Sequence, residues 1–97
     1  MNENTLERIQ EWLVRNYDKE WEPLKNFLIT TVDNPGWVII VKLPGTELES
    51  KSFTTIRIDR SETDWLHCCI KDHNFQGGCG ATNLTEMLET FINWAES

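Results

Sequence analysis

Apolar and polar positions along this chain follow two different periods, and the change of period divides it into elements. From Asn4 to Tyr17 the period is helical. Leu6, Ile9, Leu13 and Tyr17 share a stripe with Trp12 beside it, and Glu7, Arg8, Glu11 and Arg15 are left for water. Asn4, with Glu7 three residues later, has the pattern of a capping box, so a helix is predicted from about Thr5 to Tyr17. Asp18-Lys19-Glu20 ends it. Trp21-Glu22-Pro23 reads as a loop, because Pro23 has no N–H for a sheet ladder. The period then becomes two. Lys25 to Val32 places Phe27 and Ile29 on one face and Leu28, Thr30 and Val32 on the other. Asp33-Asn34-Pro35-Gly36 reverses the chain: proline presets φ, glycine permits positive φ, and Asp or Asn can bond the turn backbone. A second strand runs from Trp37 to Leu43, and its Val38-Ile39-Ile40-Val41 core is the most apolar, β-branched run in the chain.

Pro44-Gly45-Thr46 breaks that strand, and a polar connection leads through Lys51 to a third strand over Ser52–Asp59. Arg60-Ser61-Glu62-Thr63-Asp64 is a polar turn. The fourth strand, Trp65 to Lys71, turns Leu66, Cys68 and Ile70 to the core and Trp65, His67 and Cys69 to the opposite face. Asp72 to Gly80 reads as a loop because it closes on Gly77-Gly78-Cys79-Gly80. Asn83, with Glu86 as capping-box partner, opens a last helix whose stripe is Leu84, Leu88, Phe91 and Ala95, widened by Met87 and Trp94. The order helix, four strands, helix, with short connections, predicts an α+β fold. Its sheet is a four-stranded antiparallel meander with both terminal helices on one face. One domain covers residues 1–97.

Charge narrows the function. Sixteen Asp and Glu against nine Lys and Arg leave a net charge of -7. That disfavours a nucleic-acid binder or an anionic membrane surface and suits a basic protein partner. No apolar run reaches membrane-spanning length, and MNENTLER lacks the basic start and apolar core of a signal peptide. Three cysteines, two of them adjacent, make no disulfide framework, so a cytoplasmic protein with reduced thiols is expected.

Candidate chemistry is sparse. Cys79, in a glycine-rich stretch before a helix, has the setting of an activated thiol, with His67 or His73 as base. The residues Gly80-Ala81-Thr82-Asn83-Leu84 after it supply no basic group to cradle an anion. His67, Cys68, Cys69, His73 and Cys79 lack zinc-knuckle spacing, and the glycine stretch lacks the lysine of a phosphate loop. No catalytic residue, metal or cofactor is therefore expected. A thiol enzyme using Cys79, or a non-catalytic adaptor subunit, stands as the alternative. Five tryptophans say more: Trp37 and Trp94 fit the core, Trp12 lies at the edge of its stripe, and Trp21 and Trp65 sit where binding patches carry aromatics.

Taken in order, Trp21-Glu22, Thr31-Val32-Asp33-Asn34-Pro35-Gly36-Trp37, Leu43-Pro44-Gly45-Thr46-Glu47-Leu48, Arg60-Ser61-Glu62-Thr63-Asp64-Trp65 and Asn83-Leu84 resemble the immunity protein 53 family of bacterial polymorphic toxin systems. The resemblance runs from the first helix to Trp94, and Asp-Asn-Pro-Gly-Trp carries most of it. Pro23 and Cys79 depart from it. It implies a small non-enzymatic protein that binds and neutralises a co-encoded toxin; whether the free protein is a monomer or a homodimer stays open. A basic nuclease is the type of target that fits the charge. Combining these motifs with exposed chemistry gives a toxin-binding set of Trp21, Glu22, Asp33, Asn34, Arg60, Glu62, Asp64 and Trp65. The opposing reading is structural: Asp33 and Asn34 hold the hairpin, and Arg60 pairs with Asp64 across its turn.

Overall fold

A computed structural model describes residues 4–16 and 26–97. Helix α1 spans Thr5–Asn16, and strands β1 (Phe27–Val32) and β2 (Gly36–Lys42) form the expected hairpin. Strands β3 (Ile56–Asp59), β4 (Trp65–Lys71) and β5 (Asn74–Gly80) follow, and helix α2 (Leu84–Glu96) ends the chain. The α+β class is as expected, but the sheet has five strands, not four, in the order β1-β2-β5-β4-β3 with every pairing antiparallel. The segment expected as a loop is β5. It occupies the centre of the sheet, between β2 and β4.

The topology is therefore no simple meander. β1–β2 is one hairpin and β3–β4–β5 is a second unit, whose last strand returns to pair with β2. The β4–β5 connection is a two-residue hairpin in which Asp72 and His73 both take positive φ, 53° and 64°. That is the geometry of a type I′ turn, built without the usual Asn-Gly.

Residues 43–55 cross from β2 to the far edge and pack into the core as they go. Leu43-Pro44-Gly45-Thr46 forms a type II turn: Gly45 sits at φ 87°, and the Thr46 N–H donates to the Leu43 carbonyl at 3.0 Å. The Thr46 hydroxyl donates to the same carbonyl at 2.7 Å and accepts the Leu48 N–H at 3.1 Å, which leaves Leu43 and Leu48 buried on either side. Buried Asn16 ties this crossing to α1. Its Oδ1 accepts the Glu47 N–H at 3.0 Å, and its Nδ2 donates to the Trp12 carbonyl at 2.9 Å. At the α2 side, the Trp94 indole N–H donates to the Ser52 carbonyl at 2.8 Å, and the Phe53 ring packs on Phe75 and Trp94. Ser52 and Phe53, expected to begin the third strand, are taken up by these contacts, and β3 starts only at Ile56.

Both helices lie on one face of the sheet. That face carries Phe27 and Ile29 from β1, Ile39 and Val41 from β2, Phe75, Gly77 and Cys79 from β5, and Leu66 and Cys68 from β4. Phe91 is the hub, with ring centroids 5.2 Å from Trp12, 5.1 Å from Phe75 and 6.0 Å from Phe27. Trp12, expected at the edge of the helical stripe, is fully buried, whereas Leu6 is 61% exposed. The buried stripe of α1 is Ile9, Trp12 and Asn16, rotated from the expected one because the indole docks between Phe27 and Phe91. Asn4 does cap α1: its Oδ1 accepts the Glu7 N–H at 2.8 Å and its Nδ2 reaches Glu7 Oε1 at 3.0 Å. Arg8 on α1 pairs with Glu96 on α2 at 2.6 Å. Among the described residues no helix is long and apolar enough to cross a membrane.

Candidate functional site

The strand registers bring the sequence-singled motifs to one end of the sheet. Gly36 pairs with Gly80, and Leu66 pairs with Cys79, so the β1–β2 turn, the β3–β4 turn and the loop into α2 all leave the same edge. The two turns lie three strand spacings apart, roughly 14 Å. Close backbone approach sets the glycines here. A Cβ on Gly36 would run into the Cys79 carbonyl, and one on Gly80 into the Thr63 carbonyl. The expected left-handed role of Gly36 does not hold, since Gly45 is the glycine with positive φ among the described residues; Gly36 is needed for space. The Asn34–Pro35 peptide is cis. The Trp37 indole N–H, donating to the Ala81 carbonyl at 3.0 Å, fastens the hairpin to the loop before α2.

The β3–β4 turn is held to the start of α2 by charge. Arg60 bonds Asp64 at 2.7 Å and Glu86 at 2.6 Å. Asn83 sends its Nδ2 to Asp64 at 2.9 Å and to Glu86 at 3.2 Å. The expected capping box at Asn83 is therefore not formed. Asn83 sits at the N-cap, but its side chain makes no bond to the helix N–H groups, because two carboxylates draw its amide donors sideways. Its Oδ1 is buried and has no partner among the described residues. The Asn83 amide and then the Arg60 guanidinium hold the Asp64 carboxyl below its usual range, and Arg60 does the same for Glu86. The paired carboxylates push the Arg60 pKa upward. With exposed Asp33 and Glu62, this end presents, among the described residues, four carboxylates against the guanidinium of Arg60.

Next to that end lies the face of the sheet opposite the helices. Trp65, His67 and Cys69 face it from β4 as expected, and Arg57 and Asp59 join them from β3. His67 Nε2 lies 2.8 Å from Asp59 Oδ1, and Arg57 Nε lies 3.2 Å from Asp59 Oδ2. The His67 bond first, and the Arg57 bond second, depress the Asp59 pKa. The Trp65 and His67 rings are 5.1 Å apart. From β2, Val38 and Ile40 face the same way, and a hollow of about 380 Å³ opens over them, with Gly78 of β5 in its floor.

Of the eight residues in the sequence-derived set, six lie at this end. Asp33 and Asn34 are exposed in one turn, Arg60, Glu62 and Asp64 are in the other, and half-buried Trp65 turns onto the open face. Arg60 and Asp64 do pair across their turn, as the structural reading held. Trp21 and Glu22 lie outside the described residues. The hollow was missed from sequence because its floor was read as a loop. The available signal was that β2 is apolar on both faces, Val38 and Ile40 as well as Ile39 and Val41.

The thiols are placed against reactivity. Cys79, expected in a loop, is on β5 and fully buried, and burial pushes its pKa up. Cys68 is buried beside it, its pKa pushed up to about 12 by desolvation. Cys69 is the half-exposed one. A nucleophilic cysteine needs the reverse, a partly exposed site that stabilises the thiolate.

With this geometry in hand, one comparison is informative. The family model described as immunity protein 53 matches residues 6–96, nearly the whole chain. Neither the curated proteins nor the solved structures contain a match.

Proposed function

The chain belongs to the immunity protein 53 family, and on that premise we propose that it binds a co-encoded bacterial toxin and neutralises it by stoichiometric complex formation in the cytoplasm of the producing cell. The observation that carries this reading is the convergence of the turn motifs at one acidic end of the sheet, beside half-buried Trp65. An acidic surface of this kind speeds encounter with a basic protein, and an aromatic at its margin supplies a contact that excludes water. A toxin that cuts nucleic acid is a fitting target, because its own substrate demands a basic surface.

Within the contact set the side chains divide by what already holds them. Asp33, Asn34, Glu62 and Trp65 project from the turns and are proposed to touch the toxin. Arg60 and Asp64 hold the β3–β4 turn against α2 and so position Glu62 and Trp65. Trp21 and Glu22 remain in the proposed set on sequence grounds. The thiol-enzyme alternative has the burial and raised pKa of Cys79 against it.

The test is protection. The toxin domain encoded beside this chain is expressed in a sensitive bacterium with and without the protein, and the pair is co-purified. Growth arrest relieved by wild-type protein through a stable complex is expected. Relief lost in a folded Trp65→Ala, Glu62→Lys double variant, but kept in Cys79→Ala, supports the reading. Toxicity that wild-type protein does not relieve overturns it.

A further inference from the structure

The two edges of the sheet are built differently. β3 is four residues long and carries Arg57 and Asp59, with Arg60 directly after it. A short, charged edge of that kind discourages another strand from pairing. β1 has no such protection. Phe27–Val32 is six residues without charge, proline or glycine, and its register with β2 runs unbroken, so no bulge twists it away. Leu28, Thr30 and Thr31 are exposed along it, and among the described residues no strand pairs with its outer side. Six residues of open edge present about 20 Å of backbone ready to extend the ladder.

Helix α1 adds an apolar strip on the same side. α2 lies against β5 and β4, while Trp12 of α1 packs on Phe27 of β1 and on Phe91 of α2, so α1 covers the β1 half of the sheet. Arg8 and Arg15 mark the flank of α1 that faces α2 and the 43–51 crossing, through Glu96 and Glu47. Leu6, Gln10, Leu13 and Val14 recur at i, i+4, i+7 and i+8 on the flank turned the other way, beyond the sheet edge. Leu6 is 61% exposed, Val14 79% and Leu28 51%. These are the exposed large apolar side chains among the described residues, and all three belong to the β1 side.

We propose that this side is a homodimer interface, in which β1 pairs antiparallel with β1 of a second copy about a two-fold axis normal to the sheet. A register centred on Thr30 sets Thr30 against its own counterpart and Leu28 against the second copy's Val32, all on the open face and all favourable cross-strand pairs. The same axis keeps both α1 helices on one face. A helix about 10 Å across covers two strands spaced about 4.8 Å apart, so the two α1 helices become neighbours with Leu6 and Leu13 between them. One symmetry operation thus pairs the strand edge and covers the helix flank, and two five-stranded sheets become one.

Charge selects the occupant. A chain of -7 repels its own copy over most of its surface, but β1 carries no charge, and the axis holds the two Asp33 turns at opposite ends of the paired strands. A basic partner is drawn to the acidic end instead. Glu62 and Trp65 lie on the β3–β4 side of the sheet and stay open to a toxin, so the proposal goes beyond the immunity reading and does not rest on it.

Sedimentation equilibrium of the purified full chain tests this. A mass of twice 11.4 kDa is expected in the micromolar range. Thr30→Lys and Thr30→Glu each set like charges across the axis and should raise the dimer dissociation constant at least about tenfold. Leu6→Glu on α1 should weaken the dimer as well. An equimolar mixture of the two Thr30 variants should sediment as a dimer again, because lysine then meets glutamate. That rescue requires position 30 of one copy to face position 30 of the other, and it shows that both variants are folded. Wild-type protein that stays at 11.4 kDa throughout the micromolar range overturns the proposal. So does a dimer that both Thr30 variants retain, or one that mixing them does not restore. Monomeric wild-type protein whose complex with the co-encoded toxin domain is abolished by Thr30→Lys would assign the edge to the toxin and overturn it too.

Discussion

Adjacent glycines at the centre of β5 should respond oppositely to the same substitution. Gly77 faces the helices, and Gly78 faces the open side. A Cβ at Gly77 would lie 2.9 Å from Ile39 Cγ2 and 3.2 Å from both Cys68 Sγ and Met87 Sδ. Met87 can swing aside, but Ile39 is β-branched, fully buried and directly opposite in the register, so the strand or the helix must give way. Overpacking of this kind costs about 1–3 kcal/mol. A Cβ at Gly78 meets nothing closer than 3.5 Å. Gly→Ala at a compatible backbone position stabilises by about 0.4–1 kcal/mol, chiefly by restricting the unfolded chain. Gly77→Ala and Gly78→Ala should therefore differ by about 2–3 kcal/mol, with opposite signs relative to wild type. In a domain of this size, 2 kcal/mol moves Tm by roughly 8–16 °C. Equilibrium urea unfolding at pH 7 is the assay. The midpoints should separate in that order with a common m value, showing that stability changed and the extent of unfolding did not. Equal midpoints for the two variants, or a Gly77→Ala protein as stable as wild type, would refute both the packing argument and the reading of Gly78 as dispensable to the fold.

Three further expectations concern the turn, the crossing segment and the ion pairs. Asp72 and His73 hold positive φ in the β4–β5 turn, so Asp72→Asn with His73→Gly should raise stability by about 1 kcal/mol, and a lower urea midpoint would contradict the turn assignment. Asn16 satisfies the Glu47 N–H from a buried position, so Asn16→Leu should cost about 1–3 kcal/mol and expose residues 43–51 to faster amide exchange; unchanged exchange there would show that the crossing is held by other contacts. Glu47, Asp59, Asp64, Glu86 and Glu96 all have pKa values lowered by their partners, chiefly by Arg15, His67, Asn83, Arg60 and Arg8 respectively. A depressed folded pKa contributes stability above the unfolded value and loses it as pH falls through the folded value. Urea midpoints should thus hold steady above about pH 5 and decline below it, and Arg60→Met should flatten that decline; an identical pH profile in the variant would show that the turn network contributes nothing.

The candidate site was legible in sequence where its signals were local. The Asp-Asn-Pro-Gly-Trp reversal, the polar turn at 60–64 and the strict alternation of β4 each depend on a few neighbouring residues, and each lies where expected. The pairing of Arg60 with Asp64 across four residues was legible too. Its extension to Glu86 and Asn83 was not, because those residues meet the turn only after α2 has docked on the sheet. The capping box at Asn83 failed for a related reason: Asp64 from the turn and Glu86 hold its Nδ2, which fixes the amide and leaves Oδ1 without a bond to the helix N–H groups.

Sequence by itself determined the helices, the β1–β2 hairpin, the faces of β4 and the acidic character of the molecule. These follow from periodicity, turn chemistry and charge, all of which are properties of short stretches. Only the tertiary structure decided that Asn74–Gly80 is a strand and lies at the centre of the sheet. Three of its seven residues are glycine, with no intrinsic preference for a strand. Its conformation comes from ladders to β2 on one side and β4 on the other, and its glycines answer to atoms far away in sequence: Ile39 and Met87 at Gly77, Thr63 at Gly80. The open hollow over Gly78 is a consequence of that non-local pairing. It exists because β5 inserts between two strands that carry apolar side chains on the face the helices leave bare.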